Sequence, residues 1–311
     1  MSKTAILFAG QGAQVVGMGK DLVEKYPLAR TWFERAKNSL GYDLGHICFS
    51  GPEAELTKTE HAQPGIFLVS WVAWQLLKER FPDLDIKAAA GLSLGEFTAL
   101  SAAGAIGFED GLRLVRKRGH FMQEACDTTR GGMAAIIGLE EAPTREVCAQ
   151  AGVVLANLNC PGQLVISGEE EKITQACDLA KARGARRALP LTVAGAYHSP
   201  LMSSAQPKLA AELARATIAT PRIEVISNVT ARPHGAADNI RELLVQQVTS
   251  SVRWEESMHY LVAQGFTRFI ELGPGTALSG FMKRIDKSAV MLNVADVASL
   301  ESTASLIAPE S

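Results

Sequence analysis

Ser93 lies at the centre of Gly91-Leu92-Ser93-Leu94-Gly95, a GxSxG pentapeptide. A strand pattern, Ile86–Ala90, precedes it, and a helical pattern over Leu94–Ala103 follows and stops near Gly104. A serine on such a strand-to-helix turn is held in a tight conformation with its hydroxyl outward, as a nucleophile requires. Gly91 and Gly95 suit the turn because side chains there would collide with the neighbouring strand and helix. The N–H groups that open the helix, above all that of Leu94, lack intrahelical partners and can receive a developing oxyanion. A plainer reading fits the same letters: a glycine-rich turn whose serine caps the helix.

A hydroxyl nucleophile needs a base beside it. His198, in Ala196-Tyr197-His198-Ser199-Pro200, falls between a strand pattern and a helix pattern, where α/β proteins carry functional loops. His120 is its competitor, inside the helical stretch Glu109–Ala125. His46, His61, His234 and His259 fall in loops or on polar helix faces and are expected to be solvated. No third member of a hydrolase triad is visible. The acids between Ser93 and His198, Glu96 among them, all fall on helices or in adjoining polar loops, so a group other than a carboxylate is expected to orient the imidazole. A further candidate is Arg118, at the edge of the apolar stripe Leu112, Val115, Gly119, Met122 and Cys126. A partly buried guanidinium calls for an anion, and its fork matches a carboxylate. A structural salt bridge would satisfy it equally, and Arg116 flanks the other edge of the stripe, so spacing does not choose between them.

The elements that must carry these groups alternate between short apolar runs and amphipathic helices, the pattern of an α/β fold with a largely parallel sheet. Thr4–Phe8 reads as a buried strand ending at Gly10-Gln11-Gly12, and Tyr26–Leu40 as a helix. Pro64 is placed in the first turn of the next helix, whose Trp71 and Trp74 read as core. Within Gly131–Val193 the order changes: strand Met133–Gly138, helix Pro143–Gln150, strands Val153–Asn157 and Gln163–Ser167, helix Glu169–Arg183, strand Arg187–Val193. That βαββαβ order is a ferredoxin-like module. It divides the chain into a large lobe, residues 1–128 and 196–311, and an inserted lobe, residues 129–195. Beyond it, Leu201–Ala219, Ile240–Thr249 and Glu255–Gln264 read as helices, Glu224–Asn228 and Phe269–Leu272 as strands, and the tail from Glu301 as frayed.

At 311 residues the chain has room for about two folded units or one large domain with an insert. Its 47% hydrophobic and 21% charged residues can build a substantial core. A net charge of −2 gives no general affinity for nucleic acid or a membrane surface, and no apolar run reaches the ~18 residues of a spanning helix. The five cysteines are scattered without a CxxC, which suits reduced thiols in the cytoplasm. The six histidines form no HxxxH or HExxH pattern, so no metal is expected.

Taken together, the chain resembles the malonyl-CoA:acyl carrier protein transacylases of fatty acid and polyketide synthesis. The likeness rests on Phe8–Gln14, Gln63-Pro64, Gly91–Glu96, Arg118-Gly119 with Phe121–Gln123, Asn157, Asn159–Gln163, His198 with Leu201-Met202, Ser227–Thr230, and Glu271–Gly275. It implies an α/β-hydrolase-like large lobe with a ferredoxin-like insert. It also implies a ping-pong transfer from malonyl-CoA to the phosphopantetheine thiol of acyl carrier protein, by a cytoplasmic monomer without a cofactor. By resemblance Ser93 is the nucleophile, His198 its base, and Arg118 the clamp on the free malonyl carboxylate. The N–H groups of Gln11 and Leu94 form the oxyanion hole, and a main-chain carbonyl near Gln247 steadies the histidine.

Some positions depart from the family pattern. Leu92 replaces a usual His, Ala9 a Pro, Ala13 a Ser and Ser251 a Pro; none removes a reacting group. Tyr197, bulky beside the base, is expected to favour malonyl over methylmalonyl. Lys181, Arg183, Arg186 and Arg187 form a basic cluster that suits an acidic carrier protein or, equally, a solvated helix end. The alternatives to transfer are a serine thioesterase using the same pair and a non-catalytic carrier-protein binding homologue.

Overall fold

The computed structural model describes residues 3–307. Five strands form an open parallel sheet: β1 (Lys3–Phe8), β2 (Ile86–Gly91), β7 (Glu224–Ile226), β8 (Phe266–Leu272) and β9 (Val290–Val294), in the order β7-β2-β1-β8-β9. The central strand is apolar along most of its length because helices cover both faces; in β1, Ala5 to Phe8 are wholly buried. The other four, β3 (Gly131–Ile137), β4 (Val154–Cys160), β5 (Gln163–Glu169) and β6 (Arg187–Pro190), make an antiparallel sheet in the order β4-β5-β3-β6. With the helices Glu141–Ala151 and Glu170–Ala182 this is a ferredoxin-like lobe with its own apolar core. The fold is thus an α/β-hydrolase-like lobe carrying a ferredoxin-like one.

The lobes are joined through backbone. Leu158 donates to the carbonyl of Val252 at 2.9 Å, and Val252 donates to that of Ala156 at 2.8 Å. This brings β4 against the large lobe and makes the walls of a shared cleft.

Several elements differ from the expectation. Pro64 lies inside a helix, Thr59–Arg80, not at its first turn. The turn ahead of it is fixed from outside: the helix Phe108–Thr128 approaches so closely at Gly119 that a Cβ there would lie 2.4 Å from the Thr59 carbonyl oxygen. Tertiary packing overrides the local stop signal. β6 ends at Pro190; the Leu191 amide still donates to the Met133 carbonyl of β3 at 2.9 Å, and Leu191–Val193 line the cleft. Leu201–Ala219 is not one helix but a single turn, Pro200–Met202, followed by Ala205–Arg215. The tail holds where fraying was expected: Val297–Ile307 is a helix that buries Leu300, Thr303 and Ala304, and Glu301 pairs with Lys25 at 3.1 Å and Arg80 at 2.8 Å. Residues 308–311 lie outside the described residues.

Candidate active site

β2 ends in three alanines and Gly91, and Ser93 follows with φ 54° and ψ −105°, a conformation that L-residues hold only under constraint. The glycines permit it. A Cβ on Gly91 would lie 1.9 Å from the Gly95 carbonyl carbon, and one on Gly95 would lie 2.2 Å from the Phe8 carbonyl oxygen. Ser93 does not cap the helix with its side chain. Its amide instead donates to Asn228 Oδ1 at 2.6 Å, so the hydroxyl is left for chemistry. The N–H groups of Leu94, at the start of the helix Leu94–Ala102, and of Gln11, in the turn after β1, donate to no group among the described residues.

His198 also has a positive φ, 57°, in a turn closed by Ser199 Oγ donating to the Ala196 carbonyl at 2.6 Å. Its Nε2 lies 2.8 Å from Ser93 Oγ. Nδ1 lies 2.9 Å from the main-chain carbonyl oxygen of Gln247, so Nδ1 is the nitrogen that donates. Gln247 ends the helix Ala237–Gln247, and carbonyls of a last helical turn lack intrahelical partners and carry the negative end of the dipole. A helix terminus therefore stands where a triad would place an acid. Burial and then the Arg118 charge push the imidazole down to about 4, against the opposing pull of the Gln247 carbonyl. It is neutral at physiological pH and so able to accept a proton.

A pH dependence follows. The rate at which Ser93 is modified by phenylmethylsulfonyl fluoride is expected to stay level as pH falls through 6.5, and to halve only near about 4. An inflection near 6.5 would contradict the buried, neutral imidazole. Because the unfolded histidine takes its proton near 6.5, this group lowers stability progressively as pH falls from there towards about 4.

Arg118 is buried to 1% exposure, deeper than its place at the stripe's edge implies, whereas Arg116 is exposed above the Tyr42 ring. Its Nη1 donates to Gln63 Oε1 at 2.8 Å, and its Nη2 to Ser93 Oγ at 3.0 Å and Gln247 Oε1 at 2.9 Å. Nε has no partner among the described residues, and no carboxylate touches the guanidinium there. Burial lowers its pKa to about 10, partly opposed by the charge of Glu96, so it remains a cation. Tyr197 turns its hydroxyl to Thr59 Oγ1 at 2.8 Å and to the Gln11 amide at 3.4 Å, and burial pushes it up to about 12.

Ser93, His198, Arg118, Gln11 and Tyr197 all line one cavity of about 1460 Å³ between the lobes, with Leu92 beside them. Leu94 lies beneath it, fully buried. His120 is half exposed between Glu60 and Glu124, away from the cavity. His234, expected in solvent, is fully buried against Glu96, because Arg232–His234 fold back beside β7. The contacts of Gln63, Asn228 and Glu96 are not evident from local spacing. One signal existed for Glu96: the helix Leu94–Ala102 has no polar face, so its single acid had to be buried.

An open parallel sheet with a strained serine at its elbow and an inserted ferredoxin-like lobe defines an acyl-transferring enzyme. Residues 6–306 match the family described as acyl transferase domain, and the chain belongs to that family. Among its relatives, the malonyl CoA-acyl carrier protein transacylase of Bacillus subtilis (strain 168) is 44% identical over 306 residues, covering 97% of this chain and 96% of that one. The enzyme of the same name from Escherichia coli (strain K12) is 43% identical over 292 residues, 92% of this chain and 93% of that one. A solved malonyl-transacylase in complex with a type II polyketide synthase acyl-carrier protein superposes with a TM-score of 0.95 at 39% identity, over 98% of this chain and all of that one. The acyl carrier protein S-malonyltransferase of Vibrio cholerae gives 0.93 at 40% identity, over 97% of this chain and 100% of that one.

Proposed function

We propose that the protein transfers malonyl groups from malonyl-CoA to the phosphopantetheine thiol of an acyl carrier protein through a malonyl ester of Ser93. One observation carries the reading: Ser93 Oγ lies within hydrogen-bond distance of both an imidazole nitrogen and a buried guanidinium, 2.8 Å and 3.0 Å away. A nucleophile and a carboxylate clamp this close suit a short diacid, whose second carboxylate is two C–C bonds from the carbonyl that Ser93 attacks.

In the first half-reaction Ser93 Oγ attacks the thioester carbon and His198 Nε2 takes its proton. The oxyanion faces the N–H groups of Gln11 and Leu94, and the departing CoA sulfur receives the proton back from His198. The carrier-protein thiol then repeats the sequence in reverse on the malonyl ester. Thioester is exchanged for thioester, so no external energy source or cofactor is needed. Arg118 keeps the malonyl carboxylate fixed throughout, and Tyr197 narrows the space for an α-methyl branch. One chain supplies every group, so the monomer is the working unit in this reading. The scattered cysteines, all free, support a cytoplasmic setting.

Arg186 and Arg187 are exposed and make no ion pair among the described residues. Arg186 precedes β6 and Arg187 opens it, a few residues ahead of the segment Leu191–Val193 that lines the cavity. Their positive charge fits an acidic carrier protein. The reading is tested by loading the enzyme with malonyl-CoA and adding carrier protein. Malonyl is expected to pass to the carrier without release of free malonate, and charge reversal at Arg186 and Arg187 to raise the carrier KM ~10-fold while sparing the loading step. Rapid release of malonate to water with no carrier present would favour a thioesterase instead.

A further inference from the structure

Beneath the elbow, Glu96 is fully buried, and its carboxylate accepts from three directions. His234 Nε2 lies 2.5 Å from Oε1, while Gln247 Nε2 and the Asn228 amide lie 2.6 and 3.1 Å from Oε2. His234 is equally buried, and its Nδ1 has no partner among the described residues. Facing a carboxylate, Nε2 is therefore the ring nitrogen that carries the proton, and the histidine anchors Glu96 from the side away from the cavity.

The two remaining partners are the residues that grip the reacting pair. Gln247 presents its main-chain carbonyl to His198, its side-chain amide to the Ser93 carbonyl at 2.9 Å, and its side-chain oxygen to Arg118. Asn228 holds the Ser93 amide through Oδ1 and the Gly91 carbonyl through Nδ2 at 2.8 Å. All are buried, so none of these groups can exchange its partner for water without cost. The same carboxylate supplies negative charge to the Arg118 guanidinium across the single amide of Gln247.

We propose that Glu96 is the positioning residue of this site: through Gln247 and Asn228 it holds His198 and Ser93 in reacting geometry without touching either side chain. It takes the organising part of a triad acid one residue removed. Its role in malonyl transfer rests on the reading above, but its hold on the Ser93–His198 pair does not depend on which acyl group is carried.

The test uses Glu96→Ala and Glu96→Gln in the full chain and two single-turnover measurements, acylation by malonyl-CoA and modification by phenylmethylsulfonyl fluoride. In Glu96→Ala both rate constants are expected to fall ~100-fold, the loss typical of a misplaced reacting group, with the KM for malonyl-CoA within ~5-fold of wild type. Glu96→Gln keeps one acceptor for Gln247 and Asn228 and is expected to lose ~10-fold. A merely structural role would lower the amplitude, which counts folded sites, and leave the rate constants alone. Rate constants within ~3-fold of wild type in every variant that folds overturn the proposal. Wild type that reacts with the sulfonyl fluoride but not with malonyl-CoA overturns the substrate reading instead, and the sulfonyl fluoride rates then still decide the part of Glu96.

Discussion

Replacing Ser93 with Ala will lower malonyl transfer by ~10⁴-fold or more, and His198→Ala will lower it by ~10³-fold or more. In the proposed route Ser93 Oγ is the atom that bonds to the acyl group, so its removal ends the covalent route and leaves only what an oxyanion hole can do unaided. Removal of the histidine leaves the hydroxyl in place but forces it to attack with its proton on. The two losses will not add, because the groups act as one unit 2.8 Å apart. Measurement of overall malonyl transfer to carrier protein with each single variant and the double variant checks this. A double variant much slower than Ser93→Ala alone would show independent roles.

The second large effect concerns choice of substrate. Arg118→Ala will lower kcat/KM for malonyl-CoA ~10²- to 10³-fold, the range for losing one partner of a buried charge pair. Acetyl-CoA has no second carboxylate, so its slow loading will hold steady or rise, and discrimination between the two will collapse. Arg118→Lys will not restore it: an ammonium cannot keep Gln63, Gln247 and the substrate carboxylate together in one plane. Parallel losses for both thioesters would mean that Arg118 supports the elbow and does not bind the diacid.

Those two residues were legible to different degrees. The elbow could be read directly, because only glycine at 91 and 95 permits the close approach and the strand-to-helix context is local. The ferredoxin-like lobe could be read for the same reason: its strands and helices follow one another in chain order. Arg118 could not be told from Arg116 by periodicity, since both flank the stripe. Gly119 decides it, because its close contact with the Thr59 carbonyl sets the rotation of the helix and turns Arg118 inward. The support of the imidazole was legible only by likeness to a family, as a carbonyl near Gln247 has no side-chain signature. His234 was misplaced because its partner is 138 residues away along the chain. The last strand and helix were passed over because Val290–Val294 is a short edge strand and the segment after it is small and polar in composition.

In the proposed transfer one hydroxyl carries the acyl group while a guanidinium holds its far end. The most direct check is peptide mapping by mass spectrometry after brief mixing with malonyl-CoA. A single malonyl adduct on the peptide bearing Ser93, absent from Ser93→Ala and scarce in Arg118→Ala, is the predicted result. An adduct on any other residue, or transfer to carrier protein while Ser93 stays unmodified, would contradict it.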